Sequence, residues 1–158
     1  MRVRALGLVL SAALAVAAIA PAARAADAAA QVSRTPRPPE AKVYVISPAP
    51  GEISNPITIR FGLAGMGVAP AGVAFANTGH HHLIIDAALP PQDAPIPKDD
   101  HYRHFGGGQT EVTLDLPPGE HTLQLELGDK DHVPFDPPLV SDVVKIRVKP
   151  PAPGSTSY

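Results

Sequence analysis

Histidine is the residue type in this sequence with the clearest capacity for chemistry. All seven histidines fall between positions 80 and 132: His80, His81, His82, His101, His104, His121 and His132. Neutral imidazole is a common side-chain ligand for zinc, copper and nickel, and it also titrates near physiological pH. This concentration predicts a transition-metal site or a pH-responsive cluster.

A β-strand would divide the first three histidines between two faces. Alternate residues of a strand point to opposite sides, so His81 would share a face with Leu83 and Ile85. His80 and His82 would share the other face. We therefore expect His81 in the core, and His80 or His82 in a position to face a ligand.

His104 and His132 are expected at one end of the domain. Segments 110–116 and 120–127 both alternate apolar and polar residues, and Pro117-Pro118-Gly119 lies between them. This pattern predicts a β-hairpin. The open end of that hairpin would bring together His104, which precedes the first arm, and His132, which follows the second.

If the strand of His80–His82 begins at that same end, His80 or His82 could join His104 and His132, and three imidazoles with one open coordination position would make a chemically reasonable metal site. The candidate metal ligands are His80, His82, His104 and His132. Imidazole donors suit Cu(II) or zinc, which are the candidate ions, whereas Cu(I) prefers sulfur ligands.

The remaining polar residues predict no catalytic site, and we expect no enzyme activity. His121 lies on an apolar face and is expected to be structural, while His101 lies in a charged loop and is expected to be solvated. The chain has no cysteine nucleophile and no Gly-x-Ser-x-Gly motif. Its acidic residues are spread over turns and polar strand faces, which is typical of solvated surface charge.

Short strand patterns separated by proline and glycine turns fill the region between residues 42 and 149. They lie at 42–47, 57–63, 80–86, 110–116, 120–127 and 144–148. No helical period of useful length accompanies them. The pattern predicts an all-β domain, an immunoglobulin-like antiparallel β-sandwich over residues 42–149. The cysteine and tryptophan markers of true immunoglobulin domains are absent from the sequence.

The N-terminal sequence predicts export. Arg2 and Arg4 precede an apolar run over residues 5–20, and Ala23-Arg24-Ala25 follows it. A run this short, with a basic start and a small-residue end, is typical of a Sec-type signal peptide over residues 1–25 rather than of a membrane span. We expect a periplasmic or secreted protein with no membrane span after cleavage. Proline-rich segments 26–41 and 150–158 are expected to be a disordered linker and tail.

Composition excludes several classes of function. Without residues 1–25, 10 basic residues (13 − 3) and 15 acidic residues remain, a net charge of −5, which argues against nucleic-acid binding. The absence of cysteine excludes disulfides and thiolate metal sites. The alternative to metal binding is a structural or interaction module with a protein partner in the cell envelope. Its histidines would then be structural or pH-responsive groups.

Several motifs occur in a fixed order along the chain. They are Thr78-Gly79-His80-His81-His82-Leu83-Ile84-Ile85-Asp86, Pro95-Ile96-Pro97, His104-Phe105-Gly106-Gly107-Gly108-Gln109, Pro118-Gly119-Glu120-His121, Gly128-Asp129 and His132-Val133-Pro134. In this order they resemble the DUF4399 family, an uncharacterised family of secreted bacterial domains. The resemblance covers about residues 42–149. It implies a periplasmic domain with no established activity.

Overall fold

The computed structural model describes residues 32–152, and these residues form an all-β structure without a helix. The strands are β1 (Lys42–Ser47), β2 (Gly51–Ile53), β3 (Ile57–Ala64), β4 (Gly67–Val68), β5 (Thr78–Ile85), β6 (Tyr102–His104), β7 (Glu111–Leu114), β8 (Gly119–Gly128) and β9 (Val144–Val148). The all-β prediction is confirmed. Within this part of the chain, no helix of the length and apolar character needed to cross a membrane is present. The predicted signal peptide lies outside the described residues.

The strands form two sheets. The smaller sheet is antiparallel, with the order β1-β3-β7. The larger sheet has the order β2-β9-β8-β5-β4, and β6 also pairs with β5. It is a mixed sheet, because β2 is parallel to β9 and β4 is parallel to β5, whereas β8 is antiparallel to both β5 and β9.

Residues of both sheets contribute to one apolar core. Period-2 alternation sends every second side chain of β3, β5 and β8 inward. The most deeply buried of these are Ile57, Ile59, Leu83, Leu123, Leu125 and Leu127. His81 points the same way, and its ring centroid lies 5.3 Å from that of Phe61. The inward face of β5 therefore contributes to the core, which leaves its other face for the remaining two histidines of the strand.

The predicted hairpin between segments 110–116 and 120–127 is wrong. Strand β7 pairs with β3 in the smaller sheet, and β8 pairs with β5 and β9 in the larger one. The turn at 115–118 therefore carries the chain from one sheet to the other. Both segments alternate because each has one buried face, and this pattern does not specify the strand with which either segment pairs.

Part of the predicted linker is attached to the domain. Arg34 donates hydrogen bonds to backbone carbonyls of the loop that follows β8. The Oγ1 atom of Thr35 donates to Oδ2 of Asp129 over 2.6 Å, and Pro36 forms a parallel bridge with Asp136. We call residues 34–37 the N-terminal strap. These four residues of the segment predicted to be a disordered linker are held against the domain by side-chain and backbone hydrogen bonds.

Candidate metal centre

Strand β5 supplies two histidines to the outer face of the larger sheet. His80 and His82 alternate with His81 and Leu83, which point into the core, as the sequence pattern predicts. Neither outward histidine has any exposed surface. Loops that pack over this face explain the burial. One of them is the connection from β5 to β6, where the backbone N–H of Ile96 donates to the carbonyl of His132.

His104 and His132 reach the same face from either side of β5. His104 ends β6 and pairs in register with His82. His132 lies in the loop after β8 and has a φ of 67°, in the left-handed region. The carboxylate of Asp129 shapes this loop, because its Oδ1 atom accepts the backbone N–H groups of Asp131 and Val133. Pairing of β6 with β5 therefore positions the ring of His104, and the turn shaped by Asp129 positions the ring of His132.

The four imidazoles converge. The rings of His80, His82, His104 and His132 form the four-histidine cluster, and all six of their centroid distances lie between 4.7 and 6.1 Å. Four imidazole nitrogens placed about 2.0 Å from one ion in tetrahedral geometry would put the ring centroids about 5 Å apart. The spacing of the rings is therefore close to that of four ligands on a single ion.

The ring nitrogens are also close together. His80, His104 and His132 each offer a nitrogen, and these atoms lie within 4.8 Å of one another. The Nε2 atom of His82 lies 3.0 Å from Nε2 of His80. The sequence pattern pointed to His80 or His82, whereas the structure brings both to the cluster because both occupy the outer face of β5.

Burial favours the neutral form of three of these rings, His80, His82 and His104. It lowers the pKa of His80 to about 4 and that of His82 to about 2, and the neighbouring imidazoles lower both further. Burial also lowers the pKa of His104. A metal ion binds the neutral form of imidazole, so these rings are already in the protonation state that a ligand requires.

Two glycines make room for the rings. A methyl group at Gly106 would overlap the imidazole of His104. A methyl group at Gly128 would lie 3.0 Å from Nε2 of His82 and 3.4 Å from Cα of His132. The first glycine of the Gly106–Gly108 run therefore allows a ring to lie against the backbone, which any side chain there would prevent.

A comparison with protein families identifies the domain. The sequence model of DUF4399, described as a domain of unknown function, matches residues 59–149. The chain belongs to the DUF4399 family. No curated protein and no solved structure matches it. The matched part of this DUF4399 domain contains the four-histidine cluster, whereas the N-terminal strap and β1 precede it.

The other two polar histidines of the DUF4399 domain lie away from the cluster. His121 places Nδ1 2.6 Å from Oδ2 of Asp86 and Nε2 2.8 Å from the carbonyl of Pro117. Burial is the largest single influence and lowers the pKa of His121, but the hydrogen bonds to Asp86 and Pro117 and the charge of Asp86 together outweigh it, so the net shift is upward. With an acceptor at each nitrogen, His121 has no free lone pair for a metal or for a general base. His101 is exposed and bonds the carbonyl of Ile85 through Nδ1.

One residue of this face, Glu126, is not indicated by the sequence pattern. The alternation of β8 placed it among solvated polar side chains, yet it has no exposed surface. Its Oε1 atom accepts a hydrogen bond from Nε2 of Gln92 over 2.9 Å. Burial raises the pKa of Glu126 to about 6. Gln92 belongs to the loop between β5 and β6, and no sequence period indicates that this loop covers β8.

Proposed function

We propose that this DUF4399 domain is an exported, non-enzymatic protein that binds one divalent transition-metal ion, Cu(II) or zinc. The ligands are the imidazoles of His80, His82, His104 and His132. The observation that carries the proposal is the convergence of four rings, with centroids 4.7 to 6.1 Å apart, on one face of the larger sheet.

The chemistry of the donors supports this class of ion. All four are neutral nitrogen donors, which suit zinc and Cu(II), whereas calcium and magnesium prefer oxygen. The Nε2 atom of His104 is buried without a hydrogen-bond partner. Buried polar atoms are normally paired, so an ion bound at this nitrogen would account for it.

The number of ligands supports binding rather than catalysis. Catalytic zinc sites usually have three protein ligands and keep a position for water or substrate, whereas structural sites have four. Four imidazoles would fill a tetrahedral shell. The cleft of about 590 Å³ beside Asp86 and His121 supplies no alternative, because both nitrogens of that histidine are engaged.

The proposal of export rests on the N-terminal sequence, where a basic start, a short apolar run and an Ala-x-Ala motif indicate a Sec-type signal peptide. The protein would then act in the periplasm or outside the cell. We further propose that the two sheets form an immunoglobulin-like β-sandwich. The shared apolar core and the crossing of the chain between sheets after β7 support this arrangement.

Titration calorimetry tests the metal proposal. Cu²⁺ and Zn²⁺ are titrated separately into the tag-free, metal-stripped chain that begins at residue 26. The test variant combines His104→Ala with His132→Asn, since asparagine tolerates the left-handed backbone of position 132. His101→Ala is the matched control, because it removes an imidazole outside the cluster.

We expect one ion per chain, with affinity lowered at least tenfold in the double variant, or about 1.4 kcal/mol. The control should bind as the wild type does. If the wild type binds no ion, or if the double variant binds as tightly as the wild type, the metal proposal is wrong.

The alternative, an interaction module of the cell envelope, draws on an exposed apolar loop. Phe75 is 74% exposed and Val73 is 44% exposed in the segment between β4 and β5. Backbone hydrogen bonds hold this segment beside Gly106 and Lys130. A pH-responsive role near neutrality is less well supported, because the lowered pKa values of His80 and His82 place their titration well below pH 6.

A further inference from the structure

Three polar side chains form a row across the larger sheet. His82 of β5 pairs in register with His104 of β6 on one side and with Glu126 of β8 on the other. Residues directly opposite in an antiparallel pair point to the same face, with Cβ atoms about 4.5–5.5 Å apart. The carboxyl group of Glu126 therefore lies beside a proposed metal ligand.

The burial of Glu126 is unusual. Glutamate is almost never fully buried unless it is paired, yet this side chain has no exposed surface. Gln92 holds Oε1, while Oε2 is buried and has no hydrogen-bond partner. An acceptor kept out of water and left half satisfied costs stability, which suggests that it has a function.

His82 has a buried ring nitrogen that lacks a hydrogen-bond partner. Its Nε2 atom faces Nε2 of His80 over 3.0 Å, and its Nδ1 atom is buried without a partner. If Nε2 binds an ion, Nδ1 must carry the proton and needs an acceptor. In metal sites that acceptor is commonly a carboxylate, which fixes the tautomer and the orientation of the ring.

We infer that Glu126 is a positioning residue for the proposed metal site, and that Oε2 accepts the Nδ1–H group of His82 when an ion is bound. The inference rests on the proposed function. Gln92 orients the carboxylate through Oε1, so that Oε2 is left for the histidine. The negative charge of Glu126 also offsets part of the charge that a divalent ion brings to four neutral ligands.

His82 is the ligand for which such support matters most. The other three members of the cluster already offer nitrogens within 4.8 Å of one another. The longest centroid distance in the cluster, 6.1 Å, separates His82 from His132. Glu126 would therefore decide whether the ion has three or four imidazole ligands.

The test compares Glu126→Gln with Glu120→Gln, an equal change of charge at an exposed position of the same strand. Zn²⁺ affinity is measured by titration. Co²⁺ is used as a spectroscopic probe, because its visible absorption is strong when it has four ligands in tetrahedral geometry and weakens when the geometry changes. His82→Ala provides the spectrum of the site without its fourth imidazole.

We expect Glu126→Gln to lower Zn²⁺ affinity by about 10- to 100-fold, the usual effect of losing such a partner, and to give the Co²⁺ spectrum of His82→Ala. Glu120→Gln should match the wild type. Combining His82→Ala with Glu126→Gln should cause little further loss, because both changes remove the same ligand. If Glu126→Gln does not fold, Glu126→Asp, which keeps the charge but withdraws the carboxylate, should show the same loss.

Wild-type affinity and an unchanged Co²⁺ spectrum in Glu126→Gln, or in Glu126→Asp where the first does not fold, would overturn the inference and leave the proposed function standing. A loss of thermal stability with the wild-type spectrum would also overturn it, because that is the signature of a purely structural role. If the wild type itself binds neither ion, the proposed function fails first.

Discussion

The Nε2 atoms of His80 and His82 lie 3.0 Å apart on the outer face of one strand. Two ligands of a tetrahedral ion at about 2.0–2.1 Å would lie about 3.3 Å apart. The two nitrogens are therefore close to the separation of metal ligands without any rearrangement of β5. Residues on a sheet hold such geometry more accurately than residues on loops, so His80 and His82, together with His104 of β6, are the rigid part of the cluster.

Metal binding should stabilise the fold. An ion that binds only the native state adds about 2.7 kcal/mol when its free concentration is 100 times Kd. We expect Zn²⁺ to raise the midpoint of thermal unfolding of the wild type and of His101→Ala, measured by circular dichroism. In His82→Ala the increase should be much smaller. An equal increase in all three proteins would place the bound zinc outside the cluster.

Gly106→Ala should impair metal binding without unfolding the domain. The added methyl group would displace the imidazole of His104 from its present position. We expect at least tenfold weaker Zn²⁺ binding by calorimetry and a small change in thermal stability. Gly107→Ala is the control, because the nearest neighbour of a methyl group there would be the flexible side chain of Gln109, at 3.0 Å, and not an imidazole. Equal affinities in the two variants would contradict the steric argument.

Acid should destabilise the domain through His81. Burial lowers the pKa of this histidine from 6.5 to about 4. Between these two pH values the unfolded chain binds a proton at His81 and the folded chain does not. The contribution of neutral His81 to the free energy of unfolding is fully present above pH 6.5 and is lost as the pH falls towards 4. Between pH 7.5 and pH 5 this loss is about 2 kcal/mol.

Urea unfolding of the metal-stripped protein at pH 7.5 and pH 5 measures this loss. His81→Leu keeps an apolar side chain in the core and removes the titrating group, so its stability should fall about 2 kcal/mol less over the same range. Both proteins retain the contributions of His80 and His82 to the pH dependence of stability, so the difference between them reports on His81. A His81→Leu variant with the full pH dependence of the wild type would show that His81 does not titrate differently in the folded state.

The pair of Asp86 and His121 should have the opposite pH dependence near neutrality. Burial lowers the pKa of His121, but the charge and hydrogen bond of Asp86, with the bond to Pro117, raise it to a net value above the ordinary 6.5. The stabilisation is therefore fully present below pH 6.5 and is lost as the pH rises through the raised value. The hydrogen bond between the two side chains lowers the pKa of Asp86, although burial opposes that shift.

Asp86→Asn removes the charge and retains a residue that tolerates the positive φ of 53° at this position. We expect it to lower the free energy of unfolding at pH 5.5 by about 1 kcal/mol, since partial exposure screens the pair. At pH 9 the loss should be smaller. Urea unfolding at the two pH values measures both, and equal losses would indicate that the charge of His121 plays no part.

The sequence predicted the local features of the cluster better than its tertiary surroundings. Alternation on β5 placed His80 and His82 together, because the side of a strand on which a residue lies depends only on its position. The hairpin prediction was wrong because β7 and β8 alternate apolar and polar residues for the same reason, namely that each has one face in the core. Alternation does not show which strand each of them pairs with. His104 and His132 meet for a different reason, namely that β6 and β8 flank β5.

Glu126 and the N-terminal strap could not be predicted from local pattern. Glu126 is buried because the loop between β5 and β6 packs over β8, with Gln92 bonded to the carboxylate. The sequence pattern of a strand is the same whether water or a loop covers its polar residues. The prolines of segment 26–41 deny it regular structure, but they do not prevent Arg34 and Thr35 from bonding the loop after β8.

The N-terminal strap gives the folded unit a mechanical connection to whatever lies upstream. Thr35 bonds the carboxylate of Asp129, and the same carboxylate shapes the turn that presents His132. A pull on the chain before residue 34 would load that turn before it loads any strand of either sheet. Tension at the N-terminal side would thus be coupled to the geometry of one imidazole, while β5 and β6 hold the other three.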